Sequence, residues 1–111
     1  MNYLYGSPEK SGLETIGEVD WSSGSYEFDL TTVWRRKADG AFVYGEDSGC
    51  SCPSPFEDFK VEDLKPVESL SAFREYLTRR LGEDYYGGED YYGNADAVAR
   101  LIERLHGLGL R

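Results

Sequence analysis

The sequence predicts an α+β fold in which a small antiparallel β-meander of about three strands precedes two amphipathic helices that pack on it. Apolar and polar residues alternate in the first half, which is the period of a strand, and apolar residues recur every three or four positions in the second, the helical period. The 111 residues are 40% hydrophobic and 14% aromatic, which suffices for one core. We therefore expect residues 1–111 to form a single domain, β-rich over 1–64 and helical over 65–111.

The strand prediction is strongest for residues 26–35, where one face carries Tyr26, Phe28, Leu30, Thr32 and Trp34. The Asp39-Gly40 pair that follows is typical of a turn, and residues 41–44 resume the strand pattern, so the two runs predict a hairpin. Residues 14–21 alternate less regularly, with Val19 and Trp21 on one face. They supply the third strand of the predicted meander.

The first predicted helix covers residues 69–81. Apolar residues recur there at helical spacing, Ser69 can cap the start, and Gly82 is expected to end the helix. Glu75 and Arg79 lie one turn apart and should form an ion pair. The helical stripe consists of Leu70, Phe73, Leu77 and Leu81.

The second predicted helix begins at Asn94 as N-cap and ends near Gly107. Gly107 followed by Leu108 indicates a Schellman-type end. Both helices are too short to persist alone, so each must dock its stripe on the sheet or on the other helix. The stripe of this helix consists of Val98, Leu101, Ile102 and Leu105.

The charge is strongly acidic and unevenly distributed. The chain has 21 acidic and 12 basic residues, a net charge of -9, and residues 1–64 carry 13 of the acids with 5 of the bases. Nucleic-acid binding needs clustered Lys and Arg, so the balance argues against DNA or RNA and favours a basic protein partner. The sequence has neither an apolar run of membrane-spanning length nor a signal-like start, which predicts a cytoplasmic protein without membrane contact.

The most unusual stretch is residues 47–58, which contain both cysteines and two prolines. Three interpretations stay open: half of a zinc site, a strained and reducible C-x-C disulfide, or a structural loop in which Cys50 is a small buried residue and Cys52 packs beside Phe56. We favour the structural loop and expect no cofactor. Its residues are Asp47, Gly49, Cys50, Cys52, Pro53, Pro55 and Phe56.

The string D-S-G-C-S-C-P-x-P-F-E over residues 47–57, preceded by Trp34 and the turn at 38–40, resembles the signature of an uncharacterised family of small proteins. That family is encoded by actinobacteriophages and their hosts. The resemblance covers residues 25–64. It implies no activity or catalytic residue, but it suggests a phage accessory protein that acts on host machinery in the host cytoplasm.

Between the predicted helices, the block Glu-Asp-Tyr-Tyr-Gly occurs twice within residues 83–93. Carboxylates beside tyrosine rings suit the binding of Arg and Lys through charge-assisted hydrogen bonds and cation–π contacts. The competing interpretation is a solvated interhelical loop. The predicted partner-binding residues are Glu83, Asp84, Tyr85, Tyr86, Glu89, Asp90, Tyr91 and Tyr92.

These patterns favour a non-enzymatic interaction protein that binds a basic host protein as an inhibitor or adaptor, with nucleic-acid mimicry as one version of that function. No catalytic residue is predicted, and His106, at the end of the last helix, is assigned to favourable interaction with the helix dipole. One alternative is a structural or virion-associated component that self-assembles through Trp21, Trp34 or the Tyr-rich loop. Another is a zinc protein that uses Cys50 and Cys52. The sequence does not fix the oligomeric state.

Overall fold

The fold is α+β, as predicted, and has three layers. The computed structural model describes residues 4–22, 27–50, 54–84 and 93–111. An antiparallel sheet of order β1-β2-β3-β4 is followed by two helices. The elements are β1 (Leu13–Asp20), β2 (Glu27–Arg36), β3 (Phe42–Cys50), β4 (Lys65–Pro66), α1 (Leu70–Asp84) and α2 (Asn94–Gly107).

The sheet has four strands, where the sequence predicts about three. The additional strand, β4, pairs only at Val43↔Pro66 and Tyr44↔Lys65. Proline cannot donate a backbone hydrogen bond and lysine stays solvated, so both residues suit an exposed sheet edge. A strand of two residues has too short a pattern to be predicted from alternation.

The central strand β2 is buried on both faces, whereas its alternation predicts one buried face. Leu30 and Trp34 point into one apolar cluster, and Val33 points into another on the opposite face. Thr31 and Thr32, one on each face, are fully buried. The helices contact the Val33 face, and the predicted aromatic face of the strand is turned away from them.

A β-bulge in β1 lets this edge strand contribute to both clusters. The register with β2 shifts between Thr15 and Gly17, so Ile16 is the additional residue. Leu13, before the bulge, joins the Trp34 cluster, and Ile16 joins the cluster under the helices. Arg104 from α2 donates through Nε to the Ile16 carbonyl oxygen at 2.8 Å, which satisfies the bulged backbone.

The face of the sheet opposite the helices is covered by residues 4–12 and 54–64, which we call the cover layer. Its centre is Phe56, which is fully buried and packs edge-on against Trp34 with ring centroids 5.0 Å apart. The Trp34 Nε1–H donates to the Leu4 carbonyl oxygen at 2.9 Å. The Phe56 backbone has φ 62°, an uncommon value for a bulky residue, and its N–H donates to the Asp47 carboxylate at 2.7 Å.

Helix α1 begins as predicted, but it does not end at Gly82. The Ser69 hydroxyl accepts a hydrogen bond from the Ala72 N–H at 3.1 Å, which is the N-cap interaction expected of it. Glu75 and Arg79 form the expected ion pair at 3.4 Å. The helix continues through Gly82 to Asp84.

Helix α2 has the predicted Schellman end, but two residues later than the sequence indicates. Gly109 adopts φ 101° and donates to the His106 carbonyl, and Leu110 donates to the Leu105 carbonyl, both at 3.0 Å. Those are the two bonds of the motif. At the other end, Gly93 rather than Asn94 is the N-cap, so the helix begins one position earlier than predicted and Asn94 is its first helical residue.

Candidate functional site

Helix α1 is joined to the sheet by a polar network centred on Arg80. Arg80 pairs with Asp29 at 2.5 Å and with Glu46 at 3.5 Å, and its guanidinium lies 5.1 Å from the centroid of the Trp21 ring. Asp29 and Glu46 lie on β2 and β3, on the face that carries Thr31. Because the Arg80 side chain is only 20% exposed, this pair is better shielded from solvent than a surface ion pair.

Tyr76, one turn before Arg80, extends the same network. Its hydroxyl donates to Glu46 Oε1 and lies 3.3 Å from Thr31 Oγ1, which accepts from Trp21 Nε1 at 3.0 Å. Burial, and then the hydrogen bond to the Glu46 carboxylate, raise the pKa of Tyr76 well above 10.0. The phenol therefore stays a neutral donor at any physiological pH.

Beside this network, two depressions share the Tyr44 side chain, and together we call them the Tyr44 cleft. One has a volume of about 240 Å³ and lies along the β3 edge. The other has a volume of about 110 Å³ and lies between β4 and α1. The principal residues of the cleft are Tyr44, Glu46, Phe59, Asp63, Lys65, Glu68, Phe73 and Tyr76.

The cleft combines aromatic rings with carboxylates. The Tyr44 ring centroid lies 5.1 Å from that of Phe73 and 5.3 Å from that of Tyr76. Burial raises the pKa of Tyr44, and the negative charges of Glu46 and Glu68 raise it further. The Tyr44 hydroxyl therefore lies in the field of two carboxylates, and Lys65 is the single basic residue that lines the cleft in the described part of the chain.

The dimensions of the cleft indicate what it can hold. Small-molecule sites usually measure roughly 300–1,000 Å³ and enclose most of the ligand. Both depressions, at about 240 and 110 Å³, are smaller. An acidic, aromatic cleft of this size fits one or two side chains of a partner protein, and its chemistry selects cationic ones.

The partner-binding residues predicted from the repeated Glu-Asp-Tyr-Tyr-Gly block cannot be placed. Tyr85, Tyr86, Glu89, Asp90, Tyr91 and Tyr92 lie outside the described residues. Glu83 and Asp84 belong to the last turn of α1, and their side chains also lie outside the described part. The binding role of that block stays a prediction.

The predicted structural loop begins later than the sequence indicates. Asp47, Gly49 and Cys50 belong to β3 and pair with β2, because the strand continues beyond the predicted end at residue 44. Pro55 and Phe56 lie in the cover layer, and Cys52 and Pro53 lie outside the described residues.

Cys50 is exposed and free, which corrects the expectation that it is a buried hydrophobic residue. Cys50 is the last residue of β3, and its side chain reaches solvent. Within residues 4–22, 27–50, 54–84 and 93–111, no three His, Cys, Asp or Glu side chains group closely enough to hold a metal ion.

Both tryptophans proposed for self-assembly are core residues. Trp34 is fully buried and Trp21 is 5% exposed, so neither presents an assembly surface. His106, assigned to the helix end, lies in the last turn of α2 as expected.

Sequence reasoning did not single out Tyr44, Glu68, Tyr76 or Arg80 as functional residues. A weak signal existed, since Tyr76 and Arg80 are polar residues one turn apart beside the apolar stripe of α1. The cleft itself is assembled from β3 on one side and from β4 and α1, which come later in the chain, on the other, so no local pattern encodes it.

None of the helices in the described ranges is both long enough and apolar enough to cross a membrane. No curated protein and no solved structure matches the chain. A family model does match, over residues 1–107, and its description is "Domain of unknown function (DUF7574)". Because this match spans nearly the whole sequence, the chain belongs to the DUF7574 family.

Proposed function

We propose that this protein is a non-enzymatic interaction protein that binds a basic partner protein, with the Tyr44 cleft as the place where an Arg or Lys side chain of the partner is held. The partner's cation would lie against the Tyr44 ring and between the carboxylates of Glu46 and Glu68. Cation–π contact and charge-assisted hydrogen bonds supply the attraction.

The observation that carries the proposal is the joint action of Glu46 and Glu68 on the Tyr44 hydroxyl, in a cleft whose two depressions are each smaller than a typical small-molecule site. Glu46 is already engaged by Tyr76 and Arg80, which fix its position. Glu68 is exposed and has no hydrogen bond or ion pair within the described chain. It is therefore the carboxylate that can accept a new cation at the smallest desolvation cost.

The surrounding charge supports long-range attraction of the same partner. Four exposed carboxylates, those of Glu57, Asp58, Glu62 and Asp63, lie on the cover layer, and the whole chain carries a net charge of -9. Such a field accelerates encounter with a basic surface. In one version of the proposal, these carboxylates occupy the positions of nucleic-acid phosphates and block a nucleic-acid-binding protein.

The resemblance around residues 47–57 adds a biological setting to the proposal. We place the protein among small accessory proteins of actinobacteriophages and their hosts, acting in the host cytoplasm as an inhibitor or adaptor. The basic partner is then a host protein.

The first test measures binding of a fluorescent peptide of alternating arginine and glycine, compared with its lysine and glutamate counterparts. We expect binding of the two cationic peptides only, with affinity that falls steeply as salt is raised. Glu68→Gln should weaken binding several-fold by removing one carboxylate of the cleft, and Glu75→Gln should not. Glu75 is a matched control because it is also an exposed glutamate, on the outer face of α1.

The same pair of variants identifies the biological partner. The tagged protein and its Glu68→Gln variant are used to capture proteins from an actinobacterial lysate, with elution by a salt gradient. A basic protein retained by the parent and lost by Glu68→Gln supports the proposal. If both Glu68→Gln and Glu75→Gln failed equally to retain that protein, the interaction would depend on net charge alone. The Tyr44 cleft would then not be its binding site.

A further inference from the structure

A groove of about 500 Å³ lies between α1 and α2, and most of the residues that line it are exposed. Its floor is formed by apolar and small residues, and it is open along its length. Arg74 and Glu103 lie on opposite sides of the groove. The other lining residues are Leu70, Thr78, Ala95, Val98, Ala99, Ile102 and His106.

The two charged side chains of this groove are unpaired. Arg74 on α1 and Glu103 on α2 are both exposed, and neither has a hydrogen bond or ion pair with any described residue. Two other pairs of charged residues on the helices do form ion pairs: Arg79 contacts Glu75, and Arg100 contacts Asp96. The groove therefore offers one free cation and one free anion on opposite sides of an apolar floor.

This arrangement is complementary to itself. The helices run antiparallel, because the N–H of Leu70 at the start of α1 donates to the carbonyl of Arg111 just past α2, at 2.9 Å. Arg74, one turn into α1, therefore lies at about the height of the last turns of α2, where Glu103 is found. A two-fold axis parallel to the groove would place α1 of each copy over α2 of the other, with Arg74 opposite Glu103 twice.

The distribution of charge also selects this face for self-association. Two copies with a net charge of -9 each repel one another. Residues 65–111 carry 8 acids and 7 bases, so the helical half is nearly neutral, and the acidic cover layer lies on the opposite side of the sheet. Contact through the helices therefore keeps the two acidic surfaces as far apart as the fold allows.

We propose that the α1/α2 groove is the interface of a two-fold symmetric homodimer, with Arg74 of each copy paired to Glu103 of the other. The occupant of the groove is a second copy of this chain. This interface is separate from the Tyr44 cleft, so it adds an assembly state to the proposed binding function without depending on it.

Charge reversal tests the pairing directly. Sedimentation velocity over a concentration series should give a dimer for the parent chain. Arg74→Glu and Glu103→Arg should each raise the dimer dissociation constant at least about ten-fold, because each sets like charges opposite one another. The double variant Arg74→Glu with Glu103→Arg should restore the dimer, since the pairs reform with exchanged signs.

Arg79→Glu is the matched control, because it makes the same charge change as Arg74→Glu on the same helix but outside the groove. It should leave the dimer intact. A parent chain that stays monomeric up to submillimolar concentration would overturn the proposal. A dimer that the single reversals weaken no more than Arg79→Glu does, or that the double reversal fails to restore, would equally overturn it.

Discussion

Thr31 and Thr32 are adjacent and fully buried, yet their hydroxyl groups have different surroundings. Thr31 Oγ1 accepts from Trp21 Nε1 at 3.0 Å and meets the Tyr76 hydroxyl at 3.3 Å. Thr32 Oγ1 has no hydrogen-bond partner of normal geometry in the described chain. Burial raises the pKa of the nearby Glu18 carboxyl, and the Thr32 hydroxyl offsets only a small part of that rise. A buried hydroxyl without a partner does not stabilise the fold, because its hydrogen bonds to water have been lost and not replaced.

Substitution by valine distinguishes the contributions of these two threonines to stability. Thr31→Val should lower the free energy of unfolding by about 1–2 kcal/mol, because it leaves the Trp21 N–H buried without an acceptor. Thr32→Val should change it by less than about 0.5 kcal/mol, since no hydrogen bond is lost. Urea denaturation at one protein concentration measures both. Equal losses for the two variants would contradict the assignment of the hydrogen bond to Thr31 alone.

Ionisation of Tyr5 makes the stability of the protein fall at alkaline pH. Burial, and then the negative charge of Glu18, raise the pKa of Tyr5 from 10.0 to about 12. Its hydroxyl donates to the Glu18 carboxylate at 3.0 Å. Because the folded state favours the neutral phenol, this contribution to stability is complete below pH 10 and disappears as the pH rises toward about 12.

Tyr5→Phe removes that dependence, so the variant should lose less stability between about pH 10 and 12 than the parent. The measurement is the urea midpoint at a series of alkaline pH values. Parallel curves for parent and variant would show that Tyr5 ionises equally in the folded and unfolded states.

At the scale of elements, the sequence predicts what depends on local patterns. The hairpin, the Ser69 cap and the apolar stripes of both helices are confirmed. The double burial of β2 is not predictable from its own alternation, because it depends on the cover layer. That layer contains little regular structure beyond short 3₁₀ turns, so its pattern is that of an ordinary loop.

At the end of α2, two glycines are predicted to respond in opposite ways to substitution by alanine. Gly109 has φ 101°, where a side chain is strained, and Gly107 lies within the helix with nothing within 4 Å of an added Cβ. Gly109→Ala should therefore destabilise the protein by about 1–2 kcal/mol, and Gly107→Ala should stabilise it by about 0.5–1 kcal/mol. Urea midpoints of the two variants compare them directly. If Gly107→Ala were the destabilising change, the left-handed residue of the Schellman motif would be Gly107, as the sequence suggests, and not Gly109.

At the scale of the whole molecule, the candidate site shows where sequence reasoning ends. The acidic charge and the preference for a basic partner follow from composition alone. The Tyr44 cleft does not, because Tyr44 and Glu46 on β3 meet Glu68 and Tyr76 only through the pairing of β3 with β4 and the packing of α1. The sequence predicts binding of cations by carboxylates and tyrosine rings at residues 83–92 instead, because there these residue types are adjacent in the sequence.

The net charge of -9 predicts how the free energy of unfolding depends on salt concentration. Repulsion among the exposed carboxylates on the cover layer opposes the compact state, whereas the ion pairs of Arg80 favour it. Salt screens both, but exposed repulsion is screened more than the shielded Arg80 network. We therefore expect the free energy of unfolding at pH 7 to rise as sodium chloride is increased from about 10 mM to about 0.5 M.

Near pH 4.5, the sequence isoelectric point, the net charge is close to zero and the salt effect should largely vanish. Urea denaturation at both salt concentrations and both pH values, at one protein concentration, provides the comparison. A fall in stability with salt at pH 7 would mean that attractive pairs outweigh the repulsion. The acidic surface would then be a largely neutralised one, and its long-range attraction for a basic partner would be correspondingly weak.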